Sequence, residues 1–455
     1  MNKKPIILSV TALLVAASVT SAQSLLDLPG LLGRQQQDRR VQENAVKVEY
    51  DIDFQYFFDL RSFGASEELF MATETFNVAR FSPSAVLRFD QDARTTHRLA
   101  LGIDLTKNLG ANPTAVEVYS EAEHQSKLSN FDLMKDIFFY YNYKKSIGDG
   151  ILDFYAGILP RTILDGDYTR AIFADDIRYY DPNLEGVTFK YSAPRFKAEI
   201  TADIAGVRGV DRVGCEMVFT SGIYNPVDWA SLGWSAAYTH SNGSLLASAD
   251  VDFALVNPYA KVDFGSKLGM QELSVKAGPI ATYQLDYKMP AYDESGEEVG
   301  ESPHFPMGAE VIFNVRHWGF GLENTYYFGA NLNTYMSSVY SDSSAATYAG
   351  TVYKGEDFYF TRRSVPAWYD RLELYWQPLK SEFVGARFSA IGHFITPAGR
   401  GTEDQIGPFI GSQVKATVLF NLDAFRHPRK SGSSSGSRRS GSTQRSEPTG
   451  PILSL

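Results

Sequence analysis

Fixed charges are the groups in this sequence whose spacing could do chemical work. The stretch from Pro160 to Asn183 carries Asp165, Asp167, Arg170, Asp175, Asp176 and Arg178, acids and bases mixed in one polar segment. A second set follows a period of two: Lys47, Glu49, Asp51, Asp53 and Gln55 are interleaved with Val46, Val48, Tyr50, Ile52, Phe54, Tyr56 and Phe58. The chemistry such groups offer is electrostatic. Covalent and metal chemistry lack the corresponding patterns. His97, His124, His304, His317, His393 and His427 show no ligand spacing, and there is no phosphate loop or dinucleotide fingerprint. Cys215 is the only cysteine, so neither an intrachain disulfide nor a thiolate cluster can form. No cofactor and no metal are expected.

The elements that must carry these charges follow from the alternation. Successive side chains of a strand point to opposite faces, so Val46 to Phe58 has one apolar face and one wet face. Its length exceeds the 9–11 residues or so of tilted strand that cross a bilayer. The same pattern recurs at Thr96 to Lys107 and at Phe196 to Ala205, where Lys197, Glu199, Thr201 and Asp203 oppose Phe196, Ala198, Ile200, Ala202 and Ile204. Further strands are read at Val78 to Phe89, Ile137 to Lys144, Leu152 to Leu159, Leu184 to Ser192, Leu232 to Tyr238, Ala247 to Leu255 and Leu273 to Tyr287. The series ends with Ala309 to Val315, Phe320 to Phe328, Leu372 to Pro378, Val384 to Phe394 and Val414 to Leu422. Two readings stay open between Val213 and Phe264. Either Val213 to Phe219 is a strand and Ser244 to Phe264 is one long crossing, or the cysteine segment is loop and Ala260 to Phe264 is separate. Asn242-Gly243 is a hairpin signal in either case. Both readings give sixteen strands, within a range of 14–18.

The ends of the chain have their own character. Lys3 and Lys4, the apolar run from Pro5 to Val19 and the small residues Thr20-Ser21-Ala22 form a secretory signal peptide over 1–22. Residues 23–44 are a leader expected in the periplasm, 45–425 the strand-rich body, and 426–455 a Ser/Gly/Arg-rich periplasmic tail expected to be disordered. Removing Lys3 and Lys4 takes the net charge from −10 to −12, and setting aside the +5 of the tail leaves −17 on residues 23–425. Such a body does not seek nucleic acid. Beyond residue 22 no run approaches the roughly 18 apolar residues of a membrane helix.

The links alternate in length. Short ones at 90–95, 145–150, 193–195, 318–319 and 379–381 are interleaved with long ones at 61–77, 108–133, 160–183, 288–306, 331–369 and 395–411. A soluble two-sheet sandwich would bury the same apolar faces, but it has no reason to put its long links on one side. Aromatic residues such as Tyr140, Tyr141, Tyr143, Tyr179, Tyr180, Trp318, Tyr326, Tyr327, Trp368, Tyr369 and Trp376 gather near strand ends, where interface girdles would lie. The expected fold is therefore all-β: a transmembrane, antiparallel, up-and-down barrel with its apolar face toward outer-membrane lipid and its charged face toward the lumen. Lumen-wall candidates are Lys47, Glu49, Asp51, Asp53, Arg98, Lys190, Lys197, Arg316, Arg371 and Arg387, and Asp252 is also expected inward. With Asp104, Glu199, Asp203, Asp250, Asp263, Asp286, Glu310, Glu323 and Glu373 among the acids and Lys261, Lys276 and Lys415 among the bases also expected inward, thirteen acids face ten bases, which favours cations weakly; the alternative is that these charges pair across strands and stiffen the wall.

Signal peptide, sixteen or so amphipathic strands, alternating links and an apolar last strand before Phe425 together resemble the Gram-negative outer-membrane porins over about residues 45–425. That resemblance implies a passive pore for small polar solutes or ions in the outer membrane, inserted by the barrel-assembly machinery and compatible with a homo-trimer. It also implies that the third long link folds inward, which makes Asp165, Asp167, Arg170, Asp175, Asp176 and Arg178 the constriction candidates. The chain departs from the family at its end: Phe425 is one step out of phase with Val414, Ala416, Val418, Phe420 and Leu422, and thirty residues follow it. The runner-up is a loop-plugged barrel in export, adhesion or complex assembly. An outer-membrane lipid hydrolase ranks third. Tyr238-Thr239-His240-Ser241-Asn242-Gly243 is similar to the His-x-Ser-Asn-Gly pattern of outer-membrane phospholipases, but His240 and Ser241 are adjacent and point to opposite faces of a strand.

Overall fold

A computed structural model describes residues 46–63, 75–109, 137–174, 182–206, 214–242, 251–286, 305–330, 367–380, 383–395 and 409–423, with short pieces at 291–292, 298–300, 303, 332, 355–356 and 359. The signal peptide, the leader and the tail expected above lie outside these residues, as do Asp175, Asp176 and Arg178.

Sixteen staves form the wall. They are β1 (Lys47–Phe63), β2 (Thr75–Asp92), β3 (Thr95–Ile103, resuming at Leu105–Asn108), β4 (Ile137–Ile147), β5 (Gly150–Pro160), β6 (Asn183–Ala193), β7 (Phe196–Gly206) and β8 (Gly214–Val227). The second half comprises β9 (Ala230–Asn242), β10 (Val251–Asp263), β11 (Glu272–Asp286), β12 (Met307–His317), β13 (Phe320–Gly329), β14 (Ala367–Lys380), β15 (Val384–Ile395) and β16 (Phe409–Asp423). Each pairs antiparallel with its sequence neighbours, and β1 closes the ring by pairing with both ends: Phe54 stands opposite Phe81 on β2 and Phe420 on β16. Closure leaves no stave with an open edge, the condition for strands to lie in hydrocarbon. β3 breaks at Asp104, whose carboxylate accepts Arg80 Nε at 2.7 Å and Nη2 at 2.5 Å, Asn183 Nδ2 at 2.8 Å, and the Ser82 hydroxyl.

The barrel is inside-out relative to a soluble domain. Leu101 and Leu374 on the outer surface are 55% and 54% exposed, whereas Asp59, Thr188, Thr201, Ser235 and Thr325 on the inner face are fully buried. The tight turns all lie at the end where β1 starts and β16 finishes, at 93–94, 148–149, 194–195, 228–229 and 318–319. In the last of these, Trp318 and Gly319 both have positive φ, 53° and 80°. Two successive positive φ values are the requirement of a type I′ hairpin, a turn that suits Asn-Gly and strains a bulky residue.

One open choice is decided, and three expectations need correction. Of the two readings left open between Val213 and Phe264, the first holds: β8 includes the cysteine segment and β10 is one crossing, starting at Val251. Its alternation is hidden because the lumen face carries Cys215, Met217 and Phe219, all buried, while Glu216 points outward. Asn242 is not in a two-residue turn. It ends β9 opposite Gly214, and the pairing of Ser241 with Val251 leaves 243–250 as the connection. Asp252 faces outward, in phase with Val256 and out of phase with buried Leu255, and accepts from Tyr238 Oη at 2.6 Å and pairs with His240 Nδ1 at 2.7 Å. Finally, Tyr140, Tyr327 and Tyr369 point into the lumen, because neighbours on a strand cannot share a face; Tyr326, Trp368 and Trp376 are turned to the outer surface, and Trp318 is exposed in its turn.

Candidate functional site

The lumen is crossed by the link that follows β5. A single 3-10 turn, Arg161–Ile163, starts it, and the Arg161 N–H donates to the Pro182 carbonyl at 2.9 Å, bringing the two feet of the loop together. Arg161 also reaches Asp203 on β7 at 3.7 Å. From there the chain is tied to one wall strand after another. Lys190 Nζ on β6 donates to the Ile163 carbonyl and to Asp165 at 2.5 Å. The N–H groups of Asp165 and Gly166 donate to the two oxygens of Glu199 on β7, each at 2.9 Å, and the Tyr168 hydroxyl donates to Glu199 at 2.8 Å. Only glycine fits at 166, since a Cβ there would stand 2.6 Å from both Glu199 Oε1 and Ser221 Cβ.

Further along, Asp167 meets Lys276 on β11 at 2.9 Å, and the same ammonium lies 4.2 Å over the Tyr259 ring. The Thr169 N–H donates to Ser235 Oγ on β9 at 3.3 Å, and its hydroxyl donates to Glu310 on β12 at 3.2 Å. Arg170 enters an acidic group: Glu323 on β13 at 2.8 Å, Glu356 at 3.6 Å and Glu373 on β14 at 3.9 Å. Arg371, 1% exposed, shares the same three carboxylates at 3.7, 3.6 and 2.8 Å, and Arg387 approaches Glu373 at 2.6 Å while stacking 3.8 Å over Tyr375. The loop's own polar contacts fall on β6, β7, β9 and β11 to β14, about half of the ring, with Arg387 on β15 behind them.

Apolar packing holds the same loop. Ile163, Ala171 and Ile172 are buried in one cluster with Leu159, Leu184, Met217, Phe219, Leu255 and Ile280 of the wall. Tyr168, Phe173 and Phe219 meet edge to face with centroids 5.0–5.4 Å apart, contacts worth about 0.5–1.5 kcal/mol each beyond area burial. Polar pairing along one flank and apolar packing along the other fix the loop's height in the lumen. The apolar lumen face of β8 is thereby explained, since it is the seat of Phe173.

Ionisation follows this environment. Enclosure at the wall works against the Asp167 charge, but Lys276, with Lys261 behind it, outweighs that and holds the carboxyl below its usual range. Burial beside Glu199 pushes the Tyr168 phenol well up, so it stays a donor. Burial beside Glu310 does the same to Tyr359.

The remaining wall candidates are spread along the lumen. Lys47 is at the short-turn mouth, 3.1 Å from Asp90, and Glu49 is 3.4 Å from Arg88. Asp51 faces inward beside them, and Asp53 accepts from Asn421. Arg98 donates to Asn142 at 3.4 Å and Arg316 to Gln377 at 2.9 Å, while Lys197 lies half-buried opposite Ser192. Sequence reasoning passed over Arg80, whose stave shows weak alternation because Val78 and Val86 share its inward face. It also passed over Glu356 and Tyr359, which sit in a link with no periodic signal.

No family model and no curated protein matches this chain. Among solved structures the chain is similar to OmpF of Salmonella typhi in complex with daunomycin, at 10% identity and a TM-score of 0.41, covering 84% of this chain and 99% of that one. It is similar to a substituted Rh. blastica porin (10%, 0.37, 83% and 100%) and to Pseudomonas aeruginosa OccK9 (10%, 0.39, 83% and 98%).

Proposed function

We propose that this chain is a passive pore of a Gram-negative outer membrane, passing small polar solutes through the space between the lumen loop and the wall of β15, β16 and β1 to β3. The observation that carries this reading is the loop itself, fastened across a polar lumen by contacts from Lys190 to Glu373. An apolar outer surface and a closed ring of staves suit lipid on the outside. A weak cation preference follows from how the loop presents its acids. Asp165 and Asp167 are 48% and 45% exposed, while their partners Lys190 and Lys276 are 8% and 9% exposed, so a passing ion meets carboxylate before ammonium.

Single-channel recording of the purified, folded barrel in a planar bilayer tests this, with the reversal potential taken under a salt gradient. Discrete steps with modest cation preference are expected. Silence from a barrel verified as folded would favour the second reading, a plugged barrel in export, adhesion or assembly. That reading draws support from Leu332 and Tyr359, buried parts of another link.

A further inference from the structure

The link between β13 and β14 touches the lumen loop through a few described residues. The Leu332 N–H donates to the Tyr359 carbonyl at 3.1 Å, and its own carbonyl accepts from the Thr282 hydroxyl of β11 at 2.8 Å. The Glu356 N–H donates to the Arg170 carbonyl at 2.8 Å, and the Tyr359 N–H donates to the Glu356 carbonyl at 3.1 Å. The Tyr359 hydroxyl donates to Glu310, the carboxylate that also receives Thr169. The backbone and side chain of Arg170 are therefore both engaged by Glu356.

Charge balance gives that contact its weight. Arg170, Arg371 and Arg387 converge on two wall carboxylates, Glu323 and Glu373. Glu356 supplies the third, at 3.6 Å from both Arg170 and Arg371. Without it, one guanidinium charge in a nearly dry cluster would be uncompensated, and a buried unpaired charge is strongly unfavourable. The loop residue Arg170 is the member free to leave, because the other two arginines are anchored on staves.

We propose that Glu356 is a positioning residue for the lumen loop: it completes the charge balance around Arg170 and keeps that part of the loop against β13 and β14. The proposal rests on the pore reading and names what sets the width of the aperture. Removing the Glu356 charge releases Arg170 from the wall and alters the passage beside it.

The test is single-channel recording of Glu356→Gln, Glu356→Asp and the double variant Glu356→Gln with Arg170→Gln, each checked for folding by heat-modifiable migration in gels. Glu356→Gln should change conductance at least twofold and raise open-channel noise. Glu356→Asp, which keeps the charge, should restore the parent noise. The double variant removes the surplus charge with its cause, so its noise should fall below that of Glu356→Gln alone. A conducting parent with an indistinguishable Glu356→Gln would overturn this proposal and leave the pore reading standing. A folded but silent parent would overturn both.

Discussion

The guanidinium of Arg170 stands 2.8 Å from the carboxylate of Glu323, joining a loop that leaves β5 to the wall at β13. Between its foot at Arg161 and this contact the loop is also held at Glu199, Lys276 and Glu310. A segment fixed at so many points has one position, and substitutions along it should be read in ion passage before they are read in folding.

Neutralising Asp165 and Asp167 together leaves Lys190 and Lys276 without their loop carboxylates, although Lys190 keeps the Ile163 carbonyl. The Asp165→Asn, Asp167→Asn variant should show at least a twofold fall in cation-to-anion permeability ratio, read from the reversal potential. An unchanged ratio would remove the loop from the list of selectivity determinants.

The dependence on pH follows from Asp167, whose carboxyl is held low in the folded chain. A depressed group contributes its stabilisation fully above its unfolded value of about 3.9, and loses it as pH falls through the lower folded value. Ion selectivity should therefore be flat from pH 7 to about pH 5 and decline only below about pH 4. A decline centred between pH 5 and 6 that disappears in Asp167→Asn would show that Lys276 does not govern this carboxylate.

The β12–β13 turn holds Trp318 at φ 53° and 83% exposed. Left-handed backbone costs an ordinary residue about 1–2 kcal/mol, and Asn tolerates it better. Trp318→Asn should stabilise the barrel by about 1 kcal/mol in detergent, measured by urea unfolding. Destabilisation instead would mean that contact of the indole with the lipid interface outweighs the strain.

Orientation of the staves predicts the cost of charge on the outer surface. Leu374 lies on β14 between inward Glu373 and Tyr375. Leu374→Arg should cost up to about 2–4 kcal/mol, the range for a cation on the lipid face near the midplane, when refolding into vesicles is compared with Leu374→Met. Equal stability of the two variants would contradict a lipid-facing Leu374.

Much of this was legible in the chain. β1 and β7 alternate cleanly, because one of their faces meets lipid and the other charged groups, so period and orientation could both be read. The strand segments themselves gave the stave count, and the alternation of link lengths put both termini of the barrel at one end. β8 resisted, because its lumen face is covered by Phe173 and is as apolar as its outer face. The rule that charge faces water predicts an inward Asp252, whereas it lies on the outer surface beside Tyr238 and His240 near the ends of β9 and β10. By itself the sequence determined which residues form staves, since strand period and hydrophobicity are local properties. Only the tertiary structure decided that Asp165 meets Lys190, Asp167 meets Lys276 and Arg170 meets Glu323 and Glu356. Those pairings join segments far apart in the chain, and nothing in local spacing fixes them until the ring has closed around the loop.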